Sequence, residues 1–350
     1  MKQSVIRITF ILCFLIVWTN SYCQEIDMAT LNSSIKEADK IINTDTRIFF
    51  KNIRSFIVSK NGTIIHEAYY NGQHKDSIRT VQSETKSITA ILLGIAVNKG
   101  CIANEEELIS KYFPEYFDKN DALKSSIRLK DVLTMSAGFK WEELDIPITD
   151  PENDNYKMYN SGKWLNYVLS RPMACKPFTQ FEYNSGCPMI IAAIIEKVSK
   201  MKLEKFAEKY LFGPLGIIKY RWIKDSTGLV HAGGGLRLKP SDMIKIGELV
   251  LNRGKWKNKQ LFSENWTDKI SQPYFVTTLG GQSYGYFTWI KEMKIGNNKT
   301  TKVVSFQGAG GQHTYIFPEY NLIAGFTEDN YNNLLVSSMI LPNVILPALK

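Results

Sequence analysis

The sequence lacks the patterns that mark several common classes of protein. Its five cysteines form no C-x-x-C pair, and its four histidines form no H-E-x-x-H or H-x-H spacing. Neither a zinc site nor a dithiol redox centre is therefore indicated. No G-x-S-x-G element is present, which argues against the triad of α/β-hydrolases. No basic run accompanies the net charge of +9, so we expect no nucleic-acid partner. We also expect no metal and no cofactor.

What is present is typical of a folded, globular protein. The 350 residues are 44% hydrophobic, 22% charged and 12% aromatic, which is far from the composition of a disordered chain. No internal repeat or low-complexity segment interrupts the sequence. The length suits one catalytic unit with a sizeable core.

The first 23 residues have the pattern of a secretory signal peptide. Lys2 and Arg7 precede the apolar run 8–18, and the small residues Ser21 and Cys23 suit a cleavage site. The alternative, a membrane anchor, is disfavoured because a bilayer-spanning helix needs about 20 apolar residues. Lipid attachment at Cys23 is also less favoured, because the residues before it make a poor lipobox. We expect a periplasmic or secreted protein without stable membrane insertion.

The rest of the chain predicts an α/β (α+β) fold with an antiparallel sheet flanked by helices. Residues 24–49 form a lead-in, and residues 50–330 form the main domain, with Asn61-Gly62 as a hairpin turn. An all-helical insertion covers about 101–225, and late strands between 284 and 327 complete the sheet. Residues 331–350 are expected to pack on that sheet as a final helix.

Ser83 and Lys86 form an S-x-x-K element at the start of a predicted helix over 83–98. Residues three apart share a helix face, so the lysine amine reaches the serine hydroxyl. The helix N-terminus and burial both favour a neutral amine, the form that acts as a base. A serine activated in this way is a nucleophile, and its own N–H serves an oxyanion hole.

The bare S-x-x-K pattern is weak, because Ser33 to Lys36 and Ser199 to Lys202 also match it. The structural alternative at each is an N-cap serine beside a solvated lysine. Only Ser83 opens a long apolar helix directly after the hairpin segment. Its lysine is therefore expected to face the core.

Several segments, taken in order, resemble the serine β-lactamase and penicillin-binding-protein-like hydrolases, a family that includes esterases and 6-aminohexanoate-oligomer hydrolases. The segments that carry the resemblance are SETKSITAILLGIAVNKG from 83, DVLTMSAGFKWEE from 131, FEYNSG from 181, LFGPLGI from 211, AGGGLRLKPSDMIKIGELVLNRGKW from 232, YGYFTWI from 284 and GAGGQHTYIFPEYNL from 308. The resemblance covers roughly residues 50 to 330. It implies a β-lactamase/transpeptidase-like fold.

The resemblance also implies roles for individual residues. Ser83 becomes the acylated nucleophile, Lys86 its base, and Tyr183 the second proton carrier. A neighbouring lysine cation stabilises a phenolate, which suits a tyrosine to that work. Ser185 stands where class C enzymes usually carry asparagine. Tyr159 begins a second Tyr-Asn-Ser-Gly, which we interpret as an ordinary buried tyrosine because no apolar helix follows it.

The third motif of the family, Lys-Thr-Gly or His-Thr-Gly, aligns with Phe306-Gln307-Gly308, so its cation is missing. That cation normally helps to hold a substrate carboxylate, and its loss argues against classical β-lactamase activity. The resemblance assigns the second oxyanion-hole N–H to Ala309, with Gly310 as the alternative. The glycines have a structural explanation as well, the close approach of two backbones.

The sequence therefore predicts an exported serine hydrolase that forms an acyl-serine on an ester, amide or peptide. Ser185, Gln307, Gly308 and Gly310 are the remaining candidates for substrate contact. The alternative is a non-catalytic or weakly catalytic penicillin-recognising binding protein on the same fold. The loop 141–143, with one tryptophan and two glutamates, is interpreted as surface.

Overall fold

The computed structural model of the protein describes residues 24–118, 120–296 and 299–350. The predicted signal peptide, residues 1–23, lies outside these described residues. The predicted fold class is confirmed, because a large antiparallel sheet is combined with helices.

Thirteen strands form three sheets in the described residues. They are β1 Ile53–Lys60, β2 Thr63–Tyr69, β3 Arg79–Thr80, β4 Arg221–Trp222, β5 Leu236–Leu238, β6 Lys255–Trp256, β7 Lys259–Gln260, β8 Phe275–Val276, β9 Ser283–Tyr284, β10 Trp289–Lys294, β11 Thr300–Gly308, β12 Gln312–Phe317 and β13 Leu322–Glu328.

The main sheet has the strand order β2-β1-β13-β12-β11-β10-β9-β8, and its ladders are antiparallel. The hairpin β1–β2 turns at Asn61 and Gly62, whose φ angles of 52° and 73° are left-handed as a tight two-residue turn requires. Strand β1 pairs with β13, so the two ends of the domain meet near the β2 edge of the sheet. A small sheet of order β3-β5-β4, absent from our sequence prediction, lies beside the start of the Ser83 helix.

Thirteen α-helices are present in the same part of the chain. They are α1 Met28–Thr44, α2 Ile48–Lys51, α3 Glu84–Asn98, α4 Ala122–Ser125, α5 Leu129–Leu133, α6 Asp154–Ser161, α7 Trp164–Ser170, α8 Cys187–Ser199, α9 Leu203–Ala207, α10 Gly213–Leu215, α11 Pro240–Leu251, α12 Glu264–Ile270 and α13 Val336–Ile340. Helices α4 to α10 all lie within residues 101–225, but this region is not all-helical as expected, because β4 lies near its end and pairs with β5.

Helix α3 is the central element that places Ser83. Its residues from 84 to 96 are all buried, and it packs against α8 and against strands β11 and β12. A helix that is buried all round belongs to a core rather than to a surface. The predicted helix over 83–98 therefore forms at the junction of the sheet and the helical region.

The two ends of the described chain pack together on the other face of the sheet. Helix α1 was not predicted within the lead-in, although Leu31, Ile35 and Ile42 follow a helical period and are buried. The final segment is helical as expected, but it changes from α13 to a π-helical turn at 341–345 and a 3₁₀ turn at 346–348. Pro342 and Pro347 lie at these changes, because proline cannot continue the regular hydrogen-bond pattern.

Within the described ranges, no helix is both long and apolar enough to cross a membrane. Cys101, Cys175 and Cys187 are free thiols.

Candidate active site

Ser83 and Lys86 are in direct contact at the start of α3. Lys86 Nζ donates a hydrogen bond to Ser83 Oγ at 2.9 Å and another to the Gly233 carbonyl oxygen at 2.7 Å. Only 1% of Lys86 is exposed. The structural alternative, a capping serine beside a solvated lysine, is excluded here because Ser83 makes no side-chain cap bond. The arrangement places an amine where it can take the serine proton.

The backbone before Ser83 is held in an unusual conformation. Gln82 has a φ of 48°, in the left-handed region that non-glycine residues rarely occupy. Gly308 lies against this segment, since a Cβ on Gly308 would fall 2.5 Å from the Val81 carbonyl oxygen. Only glycine allows β11 to approach so closely. Gln82 was not predicted from the sequence, and its residue type gave no signal of the strain.

Ala309 follows β11 and lines the same cavity as Ser83. In the described part of the chain, neither the Ser83 nor the Ala309 backbone N–H donates a hydrogen bond. Two such N–H groups at one cavity have the composition of an oxyanion hole. The close approach at Gly308 is what brings the strand end and the serine together.

Tyr183 lies beside Lys86. The Lys86 Nζ is 4.8 Å from the centroid of the Tyr183 ring, and Tyr183 also lines the cavity. The ring stacks on Trp289 with centroids 5.9 Å apart and meets Tyr284 edge to face. Aromatic packing of this kind fixes the ring, so the structure brings the three predicted catalytic residues together.

Ser185 lines the cavity, and its hydrogen-bond partner is Glu143. Its Oγ donates to Glu143 Oε1 at 2.6 Å and its N–H donates to Glu143 Oε2 at 2.8 Å. Trp141 Nε1 donates to the same Oε2 at 2.8 Å. No hydrogen bond from Ser185 to Lys86 is formed among the described residues.

The interpretation of the 141–143 loop as surface was wrong for two of its three residues. Trp141 and Glu143 are buried, and Glu143 is a wall of the cavity; only Glu142 is exposed. A buried carboxylate requires donors, and Glu143 has three. A tryptophan two residues before a glutamate was the available signal, because a buried indole N–H needs an acceptor.

Gln307 and Gly308 line the cavity, as the resemblance implied. Gln307 Nε2 is held by Gln282 Oε1 at 2.6 Å and Ser305 Oγ at 2.8 Å. The prediction that Gly310 contacts substrate was wrong, because Gly310 does not line the cavity. It occupies a turn with a φ of 80°, where a Cβ would lie 2.9 Å from the Tyr331 ring. Glycine is needed at this position because the chain turns there with a positive φ and the Tyr331 ring packs against the turn, and not because it contacts substrate.

The cavity has a volume of about 930 Å³, and its described lining contains no arginine or lysine. Phe306, at the position of the missing cation, is fully buried in the core and does not line it.

His231 also lines the cavity and was not predicted. It is buried, its Nδ1 has no hydrogen-bond partner, and it meets the Trp164 ring at 4.9 Å. Burial, assisted by the nearby Lys86 charge, lowers the pKa of His231 to about 4. The imidazole is therefore neutral at pH 7, and it offers one donor and one acceptor.

Tyr159 and His313 belong to the surroundings of the site. Tyr159 is 51% exposed at the cavity mouth, so its interpretation as an ordinary buried tyrosine was wrong. His313 Nδ1 pairs with Ser337 Oγ at 2.8 Å, and burial lowers the pKa of His313 to about 4.

Among the residues that the structure describes, no group of three His, Cys, Asp or Glu side chains could hold a metal ion.

A family model described as Beta-lactamase matches residues 54–333. The 6-aminohexanoate-dimer hydrolase of Paenarthrobacter ureafaciens is 21% identical over 284 residues, which are 75% of this chain and 69% of that protein. An N-acetylmuramyl-L-alanine amidase of Bacillus subtilis is 22% identical, over 89% of this chain and 84% of the amidase.

A solved structure, the octameric penicillin-binding protein homologue from Pyrococcus abyssi, superposes with a TM-score of 0.65 at 19% sequence identity. The match covers 91% of this chain and 77% of that one. At this identity the likeness concerns the fold alone.

Proposed function

Because the chain belongs to the beta-lactamase family of hydrolases, we propose that it hydrolyses an ester or amide through an acyl intermediate on Ser83. The observation that carries the proposal is the 2.9 Å hydrogen bond from a buried Lys86 Nζ to Ser83 Oγ. Burial of an amine in a core carries a desolvation cost that a methionine or leucine would avoid. The retention of Lys86 is explained by proton transfer.

The reaction follows from the positions of four groups. Lys86 accepts the proton of Ser83 Oγ as that oxygen attacks the substrate carbonyl carbon, and the carbonyl oxygen becomes an oxyanion. The backbone N–H groups of Ser83 and Ala309 stabilise this charge. Tyr183 donates a proton to the leaving alcohol or amine as its bond to carbon breaks. Water then attacks the acyl-serine and gives a proton to Tyr183. As the bond between the acyl carbon and Ser83 Oγ breaks, Lys86 returns a proton to that oxygen and the acid is released.

The cavity favours a substrate without a carboxylate beside the scissile bond. Recognition of a carboxylate calls for a cation, and the described lining contains no arginine or lysine. Two relatives are named as a 6-aminohexanoate-dimer hydrolase and an N-acetylmuramyl-L-alanine amidase. The acyl transfer that cleaves an amide also cleaves an ester. We therefore favour neutral ester or amide substrates over classical β-lactams.

Export is part of the proposal. Lys2, Arg7 and the apolar run 8–18 support a signal peptide and a periplasmic or secreted enzyme.

A second candidate is a penicillin-recognising binding protein with little or no turnover. Two observations favour it: Phe306 replaces the third-motif cation, and Ser185 is engaged by Glu143. Such a protein would acylate once or not at all, whereas an enzyme both acylates and deacylates.

Steady-state hydrolysis of p-nitrophenyl butyrate by the mature protein separates the two candidates. We expect turnover that disappears in Ser83→Ala and persists in Ser33→Ala, a control that removes the exposed serine of another S-x-x-K element. Equal turnover by wild type and Ser83→Ala would overturn the enzymatic proposal. A single stoichiometric burst without further turnover would favour the binding protein.

A further inference from the structure

The mouth of the cavity exposes an unusual concentration of apolar side chains. Six large apolar residues that are at least one-third exposed line it: Leu144, Ile148, Tyr156, Tyr159, Ile223 and Leu279. Scattered exposed apolar residues need no explanation, but a contiguous group around a cavity marks a binding surface. Ile148, with 62% of its surface exposed, is the most exposed of the six.

Two sides of the cavity are made by different elements. Tyr183 packs against Trp289 and Tyr284, which belong to β10 and β9 of the main sheet. Tyr159 and Ile223 lie instead around His231: the Tyr159 ring is 6.1 Å from the His231 ring, and the Ile223 carbonyl accepts the His231 N–H. The leaving group must depart beside Tyr183, its proton donor, so the acyl group takes the side around His231.

Gly234 also lines the His231 side of the cavity, and its lack of a side chain leaves space there. A Cβ on Gly234 would meet His231 Cε1 at 3.5 Å, an ordinary contact distance, and no positive φ forces glycine there. Its neighbours differ, since a Cβ on Gly233 would lie 2.9 Å from the Ser185 carbonyl oxygen. Packing therefore does not demand glycine at 234, and its small size gives room for substrate. We name Tyr159, Ile223, His231 and Gly234 the acyl wall.

We propose that the acyl wall and the apolar residues at the cavity mouth bind a long, uncharged apolar acyl chain. The inference rests on the proposed function and specifies its substrate class. The cavity volume of about 930 Å³ is at the upper end for small-molecule sites, so it holds far more than an acetyl group. A neutral His231 and the absence of arginine or lysine from the lining fit an acyl chain without a carboxylate.

The test compares kcat/KM for p-nitrophenyl acetate, butyrate and octanoate, each below its micellar concentration. The octanoate-to-acetate ratio should be at least about tenfold in the wild type, because burial of even two methylenes supplies such a factor. Gly234→Leu, which fills the acyl wall, should remove most of that preference. Ile148→Asp should lower the octanoate-to-acetate ratio, because a charge at the cavity mouth disfavours an apolar acyl chain.

Ile218→Asp is the matched control, because Ile218 is 89% exposed and does not line the cavity; it should keep the wild-type ratio. If Gly234→Leu fails to fold, Tyr159→Asn at an exposed position provides the same readout. A flat chain-length series, or a ratio unchanged in both wall variants, overturns this inference and leaves the hydrolase intact. Absence of any Ser83-dependent turnover would instead remove the proposed function itself.

Discussion

Lys86 reaches Ser83 and Gly233 at once: its Nζ donates to Ser83 Oγ at 2.9 Å and to the Gly233 carbonyl oxygen at 2.7 Å. The first contact lies within one helical turn, whereas the second joins α3 to the glycine-rich segment before β5. The carbonyl fixes the amine in place, so that the remaining hydrogen bond is directed at the nucleophile. The proposed hydrolysis through Ser83 depends on this pair.

Substituting Lys86→Met should preserve the fold and remove most activity. Methionine matches the length of the lysine stem in a buried site, but it cannot accept a proton. We expect kcat to fall about 10²- to 10⁴-fold, the usual contribution of a general base. Ester hydrolysis and thermal unfolding are measured together, with Lys36→Met of the exposed S-x-x-K element as control. Full activity in Lys86→Met would contradict the assigned role.

Tyr183→Phe tests the second proton carrier. The ring would still stack on Trp289, so packing is kept while the phenolic proton is lost. We expect kcat to decrease at least about 10²-fold with a smaller change in KM. Esters with poor leaving groups should be affected more than p-nitrophenyl esters, because p-nitrophenolate leaves without protonation. Tyr210→Phe is the control, and equal loss in both variants would indicate a structural effect only.

Ala309→Pro removes the backbone N–H that we assign to the oxyanion hole. Ala309 has no positive φ, and the preceding Gly308 tolerates a following proline better than other residues do. Loss of one oxyanion donor is expected to lower kcat about 10²- to 10³-fold. Ala309→Ser retains the N–H and should stay near the wild-type rate. Similar rates in the serine and proline variants would count against this donor.

Glu84 predicts a pH dependence of stability. Burial raises the pKa of Glu84 to about 8 from 4.5, and its hydrogen bond from Thr314 Oγ1 opposes the shift. The folded state therefore holds this proton more tightly than the unfolded state. Its contribution to stability is fully present below about pH 4.5 and is lost as pH rises towards 8.

Urea unfolding of wild type and Glu84→Gln at pH 5, 7 and 8.5 measures this effect. The variant should gain on the wild type as pH rises, at up to about 1.4 kcal/mol per pH unit. Other titrating groups are common to both proteins and cancel in the difference. Parallel stability curves would show that Glu84 does not titrate in this way.

The hairpin, the Ser83 helix and the Ser83–Lys86 contact were predictable because each depends on residues that are close together in the sequence. Asn61-Gly62 determines a hairpin turn by its φ requirements alone, and the apolar run after Ser83 can only be a buried helix. The S-x-x-K spacing then predicts the contact between Ser83 and Lys86, since helix geometry fixes it. These features need no knowledge of distant segments.

Other features depend on contacts between distant parts of the chain. Glu143 is buried because Ser185, 42 residues later, supplies two of its donors. His231 enters the cavity through the packing of Trp164, and Gly310 leaves it because Tyr331 covers the turn. No local propensity encodes such pairings. Helix α1 is different, because its period was visible and was overlooked.

Intact-mass spectrometry of the mature protein after incubation with a fluorophosphonate tests the central claim most directly. One adduct per molecule, located on the peptide containing Ser83 and absent from Ser83→Ala, is the predicted result. An unmodified protein, or an adduct that persists in Ser83→Ala, would contradict the assignment of Ser83 as the nucleophile.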